Sequence, residues 1–422
     1  MSARWNFFEG FAGGGMVRLG LGSNFQCLMA NDMSPAKAAS YAANFGSEHL
    51  HVCDVAELTT DDIPAGRVGL AWASFPCQDI SLAGDRAGLN GARSSVFWDF
   101  WRLVQGLRSE GRAPKIVVIE NIDDLVSSHG GRDFEAIRIA LVAAGYRFGA
   151  VIIDAALFVP QSRRRVFIIG VDQSLPIPAS VTSPKPVAAF CPYPLAAVCD
   201  PLSDPRWNQP RSALDDPLWF RLPVPPIRNT TLANIIEDDP APAPAKAGVR
   251  WHTQNETARL MAMMAPGHIE KIETAKRAGK RMAGGLYRRT RPTKDGGKVS
   301  RWEIRFDGLA GCLRIPTGGS SRQTIMIVEG DTVRSRLLSP REAARLMGLP
   351  DDYLLPVNVN EALALMGDGV VVPVVRFLAE NILEPILAAN SAAREAAGTQ
   401  VGFSPPIDPW GLARSRGQAE AR

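Results

Sequence analysis

Cysteine is scarce in this 422-residue chain: the six present (Cys27, Cys53, Cys77, Cys191, Cys199 and Cys312) form no CxxC pair and no other zinc spacing. Nothing suggests a disulfide framework, so a reduced, intracellular setting is expected. No uninterrupted apolar run reaches membrane-spanning length, and the first residues pass from a short polar stretch straight into a strand-like segment. Neither a membrane anchor nor secretion is expected. No internal repeat recurs at a period of about 20–50 residues, which excludes a solenoid. The dinucleotide fingerprint GxGxxG is incomplete because Arg18 stands where its third glycine should be, which argues against a nicotinamide-dependent oxidoreductase. A large excess of one charge is missing too, since the formal net charge is only +4.

What is present is enough length for two or three domains and an ordinary 46% hydrophobic content. Short apolar runs at 5–8, 25–30, 50–53, 68–73, 116–119, 150–153 and 166–171 read as strands. Helix-period segments near 35–45, 95–107 and 133–144 fall between them, the pattern of an α/β domain with a mainly parallel sheet. Ligands of such sheets bind beyond the carboxyl ends of the strands. The stretches 175–186 and 222–244 are rich in proline and suit neither ordinary helix nor central strand, so a second, irregular region begins there. Regular structure returns at Ser339, where Ser-Pro-Arg-Glu gives an N-cap, a proline at the first helical position and a capping-box glutamate. Residues 370–387 read as a final apolar helix.

Three groups at strand edges carry the chemistry. Pro76-Cys77-Gln78 ends one apolar run, Glu120-Asn121 follows another, and Gln161-Ser162-Arg163-Arg164-Arg165 precedes a third. A thiol, a carboxyl and an arginine pair are the parts needed to attack and protonate a pyrimidine ring such as cytosine, whose C5 is too poor a nucleophile to accept a methyl group unaided. A thiolate adding at C6 turns C5 into an enamine carbon, and a proton delivered to N3 stabilises the adduct. Cys77 can supply the thiolate, and nearby arginines would lower its pKa. Glu120 must be protonated to donate, so it is expected to be buried. Gln161, Arg163 and Arg165 share a spacing of two and face one side of an extended segment, with Arg164 on the other. One guanidinium can hold the cytosine O2 and the other can orient Glu120 or Gln161. Read singly, each group has an ordinary alternative: an inert core thiol, a strand-end turn, a phosphate-binding patch.

Phe11-Ala12-Gly13-Gly14-Gly15-Met16 follows the first strand, where glycines allow close backbone approach to a ligand. Asp32 lies 19 residues after Gly13 and can accept both ribose hydroxyls of an adenosine cofactor or cap the helix ahead of it. Asp54, after the third strand, is placed to meet an adenine amino group or to make a turn.

Together these motifs, in this order, followed by the segment from Arg336 to Gly348, resemble the DNA cytosine-C5 methyltransferases over nearly the whole length. The resemblance implies a Rossmann-like S-adenosylmethionine-dependent methyltransferase domain (1–175), a smaller irregular target-recognition domain with proline-rich linkers (176–334), motifs returning to the large domain (335–390) and a flexible tail (391–422). It implies S-adenosylmethionine as cofactor, with Phe11 against its adenosine, Asp32 on its ribose, and Ala12, Gly13, Gly15, Met33, Asp54, Val55, Asp368 and Gly369 also lining the site, without a metal. Residues 78–95 would close on double-stranded DNA once the target base has been flipped out. A monomeric cytoplasmic enzyme is implied, with a cognate restriction endonuclease as a further partner. The sequence departs from the family at Met16, where a further glycine is usual, and at Asp368, where asparagine is usual. A carboxylate there loses the amide donors and adds a charge.

Two further readings stay open: an RNA cytosine methyltransferase built on the same motifs, and a catalytically silent DNA-binding relative. Between 271 and 305 there are twelve Lys/Arg against three acids, a run that suits phosphate contact or a solvated loop. Arg322 and Gln323, after a small-residue loop, are candidates for reading base edges.

Overall fold

A computed structural model describes residues 5–76, 96–199, 214, 216–238, 249–292, 296–316 and 322–400, with side chains to 392. Cys77, the expected closing loop 78–95 and the tail beyond 400 lie outside the described residues.

The large domain is a seven-stranded sheet of β1 (Trp5–Gly10), β2 (Phe25–Asn31), β3 (Leu50–His51), β4 (Leu70–Ala73), β5 (Ile116–Ile122), β6 (Tyr146–Asp154) and β7 (Arg164–Asp172). Its spatial order is β3-β2-β1-β4-β5-β7-β6. Helices α1 (Met16–Leu21), α2 (Pro35–Phe45), α3 (Val96–Ser109) and α4 (Arg132–Ala143) are interleaved with the strands. Most strands run parallel, as the alternating pattern predicts, but β7 is antiparallel to both β5 and β6. Only residues 155–163 separate β6 from β7, too few for the crossover of a dozen or more residues that a parallel pair needs. The two strands therefore form a hairpin. Pairing with β7 also extends β5 to Ile122, so Glu120 and Asn121 lie within the strand, opposite Phe167 and Val166, rather than after it.

The sheet buries apolar side chains on both faces, one layer including Phe7, Trp72, Val118 and Phe167, the other Phe8, Ala71, Ile119 and Ile168. Strand order reverses between β1 and β4, which opens a crevice at their carboxyl ends.

After a short pair, β8 (Thr182–Ser183) and β9 (Trp219–Phe220), with α5 (Tyr193–Cys199) between them and α6 (Leu232–Ile235) following, a second sheet begins. Its strands β10 (Met282–Pro292), β11 (Lys298–Arg305), β12 (Thr324–Glu329) and β13 (Thr332–Leu337) are antiparallel in the order β11-β10-β12-β13. Helices α7 (Gln254–Ala262) and α8 (Pro266–Arg277) accompany it, and Ile272 and Ala275 of α8 join Leu286, Ile304, Met326 and Val328 in a separate small core.

Helix α9 (Pro340–Leu346) starts at Ser339 with the expected capping box. Its Glu342 does more than cap. Fully buried, it forms a two-pronged ion pair with equally buried Arg336, at 2.6 and 2.8 Å. Two backbone N–H groups, of Glu237 and Ser339, also donate to the carboxylate. Such a pair is held by its geometry, because the desolvation of both ions must be offset by close contact and full hydrogen bonding.

Helices α10 (Val359–Asp368), α11 (Val372–Leu378) and α12 (Glu384–Gln400) bring the chain back to the large domain, with a π-helical turn at Ala379–Leu383 between the last two. The apolar stretch Val359–Ala392 has the length and composition to cross a membrane, but two thirds of its most apolar window (67%) is buried inside the protein. Gly20 of α1 is what lets α11 approach, since a Cβ there would overlap Val375.

Candidate active site

The cofactor side of the crevice is built at the end of β1. Phe11, Gly13 and Gly15 all have left-handed backbone, with φ of 62°, 56° and 78°. At Phe11 that conformation costs roughly 1–3 kcal/mol, which only a fixed surrounding sustains. Part of that surrounding is Ala12, whose N–H bonds the Asn31 carbonyl at 2.8 Å. The Gly13 N–H donates to Asp32 Oδ2 at 2.9 Å, and the Ser34 N–H to Oδ1 at 2.8 Å. Each carboxylate oxygen keeps a lone pair for a hydroxyl. A buried carboxylate held beside an open-backbone loop fits an adenosine-bearing cofactor.

The other cofactor candidates are distributed around this loop. Val55 is buried, whereas Met33 is 68% exposed. Asp54 caps the short 3-10 helix Val55–Glu57, accepting from Ala56 N–H at 3.0 Å, so it is at once a turn residue and a rim carboxylate. Gly369 packs on Met16, whose sulfur fills the space that a Cβ at 369 would need. The methionine at 16 thus packs under the junction of α10 and α11. Asp368 is paired with Lys37, which sequence reasoning did not single out.

Glu120 projects from the end of β5 and is 5% exposed. Burial pushes its carboxyl above the usual carboxylate range, against the opposing pull of the Arg165 and Arg163 guanidinium groups and a hydrogen bond from Ser74. Arg165 Nε lies 3.2 Å from Glu120 Oε1. Asn121 ties the neighbouring strand end in place by donating to the Phe75 carbonyl at 3.1 Å. The segment Ser74-Phe75-Pro76 that leads to Cys77 is therefore fastened to β5 beside Glu120.

The alternation of the arginine motif is as expected: Gln161 and Arg163 are buried and Arg165 nearly so, while Arg164 is exposed and meets Asp123. That one guanidinium orients Glu120 agrees with expectation; the partners of Arg163 and Gln161 lie elsewhere. Arg165 is the guanidinium that holds Glu120. Arg163 grips the carbonyls of Leu313, Gly367 and Gly369 at 3.1, 3.0 and 2.8 Å, so it joins β7 to the end of α10. Gln161 does not approach Glu120, because its amide bonds the Leu346 carbonyl at 2.8 Å and the Leu313 N–H at 3.1 Å. It is a brace between domains.

Two further groups carried no legible signal in the sequence. Glu9 on β1 is 1% exposed with no hydrogen-bond partner for Oε2 among the described residues, and burial drives its carboxyl well up, with Arg18 opposing and Asp32 adding to the shift. Cys312 accepts from Arg163 at 3.4 Å; burial alone would raise its thiol, but Arg163, Arg165 and Arg314 outweigh it and lower the pKa. Arg18, which breaks the dinucleotide fingerprint, hydrogen-bonds Tyr41 Oη at 3.1 Å and lies over the Phe45 ring, bracing α1 against α2.

In the second sheet the basic run is divided. Arg289 and Arg291 pair with Glu303, Arg281 with Asp238 and Lys276 with Glu273. Arg288, Lys298 and Arg301 on the exposed half of the β10–β11 hairpin have no acid at salt-bridge distance among the described residues. Arg322 hydrogen-bonds Asn360 of α10 and, with Gln323, lines a small cavity beside Leu338 and Leu363. Both therefore stand at the junction of the domains.

A mostly parallel seven-stranded sheet with a reversed β7, a glycine loop after β1 and a carboxylate after β2 define an S-adenosylmethionine-dependent methyltransferase fold. The model of the C-5 cytosine-specific DNA methylase family matches residues 5–384, and the chain belongs to that family. It is 24% identical over 385 residues to the type II methyltransferase M.NlaX of Neisseria lactamica, covering 90% of this chain and 96% of that one. To the type II methyltransferase M.HhaI of Haemophilus parahaemolyticus it is 25% identical over 378 residues, covering 89% and 93%. Among solved structures, the Entamoeba histolytica methyltransferase EhMeth superposes with a TM-score of 0.56 at 14% identity, covering 91% and 99%. The protein is a DNA cytosine-C5 methyltransferase.

Proposed function

We propose that Cys77 is the nucleophile and Glu120 the proton donor of this reaction, acting on a cytosine flipped out of duplex DNA. The observation that carries the reading is the buried Glu120 carboxyl, held by Arg165 at 3.2 Å on the strand next to the one that leads into Cys77. The Cys77 thiolate forms a bond to C6, and the ring electrons pass toward N3, where Glu120 delivers its proton. After C5 has taken the methyl group, the C5 hydrogen leaves as a proton to water, its electron pair forms the C5–C6 double bond and expels the Cys77 thiolate, and N3 returns its proton to Glu120, which restores the aromatic ring. S-adenosylmethionine supplies the methyl group, and Phe11, Ala12, Gly13, Gly15, Asp32, Met33, Asp54, Val55, Asp368 and Gly369 are the residues that would hold it. Arg165 keeps Glu120 aimed, while Arg163 and Gln161 fix the backbone around the crevice.

The segment 176–334 would be the target-recognition domain, with the β10–β11 hairpin on DNA phosphates. Replacing Arg288, Lys298 and Arg301 with alanine should weaken binding to every duplex sequence alike. The log–log salt slope should flatten by up to about 0.9 for each phosphate no longer neutralised. Fluorescence anisotropy at several salt concentrations measures both, and an unchanged slope would remove the hairpin from the interface. Arg322 and Gln323 remain candidates for base readout at the domain junction. The type II naming of the relatives supports a cognate restriction endonuclease recognising the same site, and a cytoplasmic monomer is the working form. Bisulfite sequencing of DNA from cells expressing this chain tests the function directly: methylcytosine in one recurring sequence context is the expected result, and its absence with folded protein present rejects it.

A further inference from the structure

Lys37 is the third residue of α2, the helix that begins beside Asp32. Its Nζ lies 2.6 Å from Asp368 Oδ2, with the two side chains 25% and 37% exposed. Burial alone would lower the lysine pKa, but the carboxylates of Asp368 and then Asp32 outweigh it, and the ammonium is held charged. Asp368 ends α10, and its neighbours Gly367 and Gly369 give their carbonyls to Arg163. Gly369 also rests on Met16 at the start of α1. The pair thus stands between the Asp32 carboxylate, whose charge acts on Lys37, and the backbone at 367–369 that Arg163, just before β7, holds. A carboxylate offers only acceptors and an ammonium only donors, each with a full charge. Joined, they offer both and carry none, as a single carboxamide would.

We propose that Lys37 and Asp368 act as one neutral donor–acceptor unit on the rim of the cofactor crevice, with Lys37 setting how the site discriminates a cationic methyl donor from its uncharged-sulfur product. The inference rests on the S-adenosylmethionine reading of the crevice. The donor carries a sulfonium charge that S-adenosylhomocysteine lacks, while the rest of the two molecules is alike. An opposed pair of charges in contact has a field that falls off steeply, whereas a lone charge acts over the length of the site. Loss of Lys37 leaves the Asp368 carboxylate uncompensated beside Asp32, which favours the sulfonium. Loss of the Asp368 charge frees the ammonium, which disfavours it.

Calorimetric titration of the full chain with S-adenosylmethionine and S-adenosylhomocysteine, for the wild type, Lys37→Gln, Asp368→Asn and the double variant, reads this out. Lys37→Gln should shift the ratio of the two dissociation constants toward the cationic ligand by about three- to tenfold, and Asp368→Asn should shift it the other way by a similar factor. The double variant should return to within about twofold of the wild-type ratio. Equal weakening of both ligands in each single variant would make the pair a structural clasp and overturn the proposal, as would ratios that do not move. A wild-type chain that binds neither ligand would overturn the cofactor reading itself, and the inference with it.

Discussion

Cys77→Ala should abolish methyl transfer, with a loss of turnover on the order of a thousandfold or more, and leave S-adenosylmethionine affinity within about twofold. The size follows from the chemistry: without a C6 adduct, C5 of cytosine never becomes an enamine carbon. The cofactor should be indifferent because its candidate contacts lie after β1, β2 and β3 and at the end of α10, whereas Cys77 follows β4 and is reached through Ser74-Phe75-Pro76. That approach is fixed independently of the thiol, by Asn121 on the Phe75 carbonyl and by the Trp72 Nε1 donation to Ser74 Oγ at 3.0 Å. Duplex DNA carrying 5-fluorocytosine at the target should trap the wild-type enzyme, because fluorine at C5 blocks the elimination that would release the cysteine. A mass spectrum showing the adduct on Cys77 in the wild type and none in the variant is the expected outcome. Substantial turnover by the alanine variant would sink the assignment.

The second large effect concerns Glu120. Glutamine keeps the shape of the side chain but has no acidic proton, so turnover should fall by about 10²–10⁴-fold while DNA affinity changes by no more than a few-fold. The pH profile supplies a second readout. Burial raises the Glu120 pKa, and Arg165 and Arg163 oppose the rise without cancelling it. The carboxyl therefore stays protonated to a higher pH than an exposed glutamate would, and wild-type turnover should decline as pH rises through that raised value. Glu120→Gln should lose this alkaline limb, having nothing left there to titrate. Removing the Arg165 charge should move the limb to higher pH, because the carboxyl then loses its main stabilising cation. Parallel loss of DNA binding and turnover in Glu120→Gln, with the alkaline limb intact, would make Glu120 a structural residue.

Some of this protein was fixed by local sequence alone. Alternating apolar runs and helix-period segments dictate an α/β sheet, Ser339, Pro340 and Glu342 dictate where α9 starts, and the spacing of two puts Gln161, Arg163 and Arg165 on one side of an extended chain. These are properties of neighbouring residues, so periodicity and capping chemistry suffice to read them. Partners distant in sequence are a different matter. That Arg165 and not Arg163 holds Glu120, that Arg163 instead binds carbonyls at 367 and 369, and that Gln161 bonds residues 313 and 346 depend on which strand edges the fold brings together. The same holds for Lys37 with Asp368, and for the buried Arg336–Glu342 pair, whose glutamate looks from sequence like a capping residue only. The reversal of β7 lies between the two. It is implied by the nine residues left for the β6–β7 connection, but it became visible only once the sheet order showed those strands side by side. Geometry within a turn or a strand is set by the chain's own dihedrals, whereas a charge finds its partner through the packing of the whole molecule.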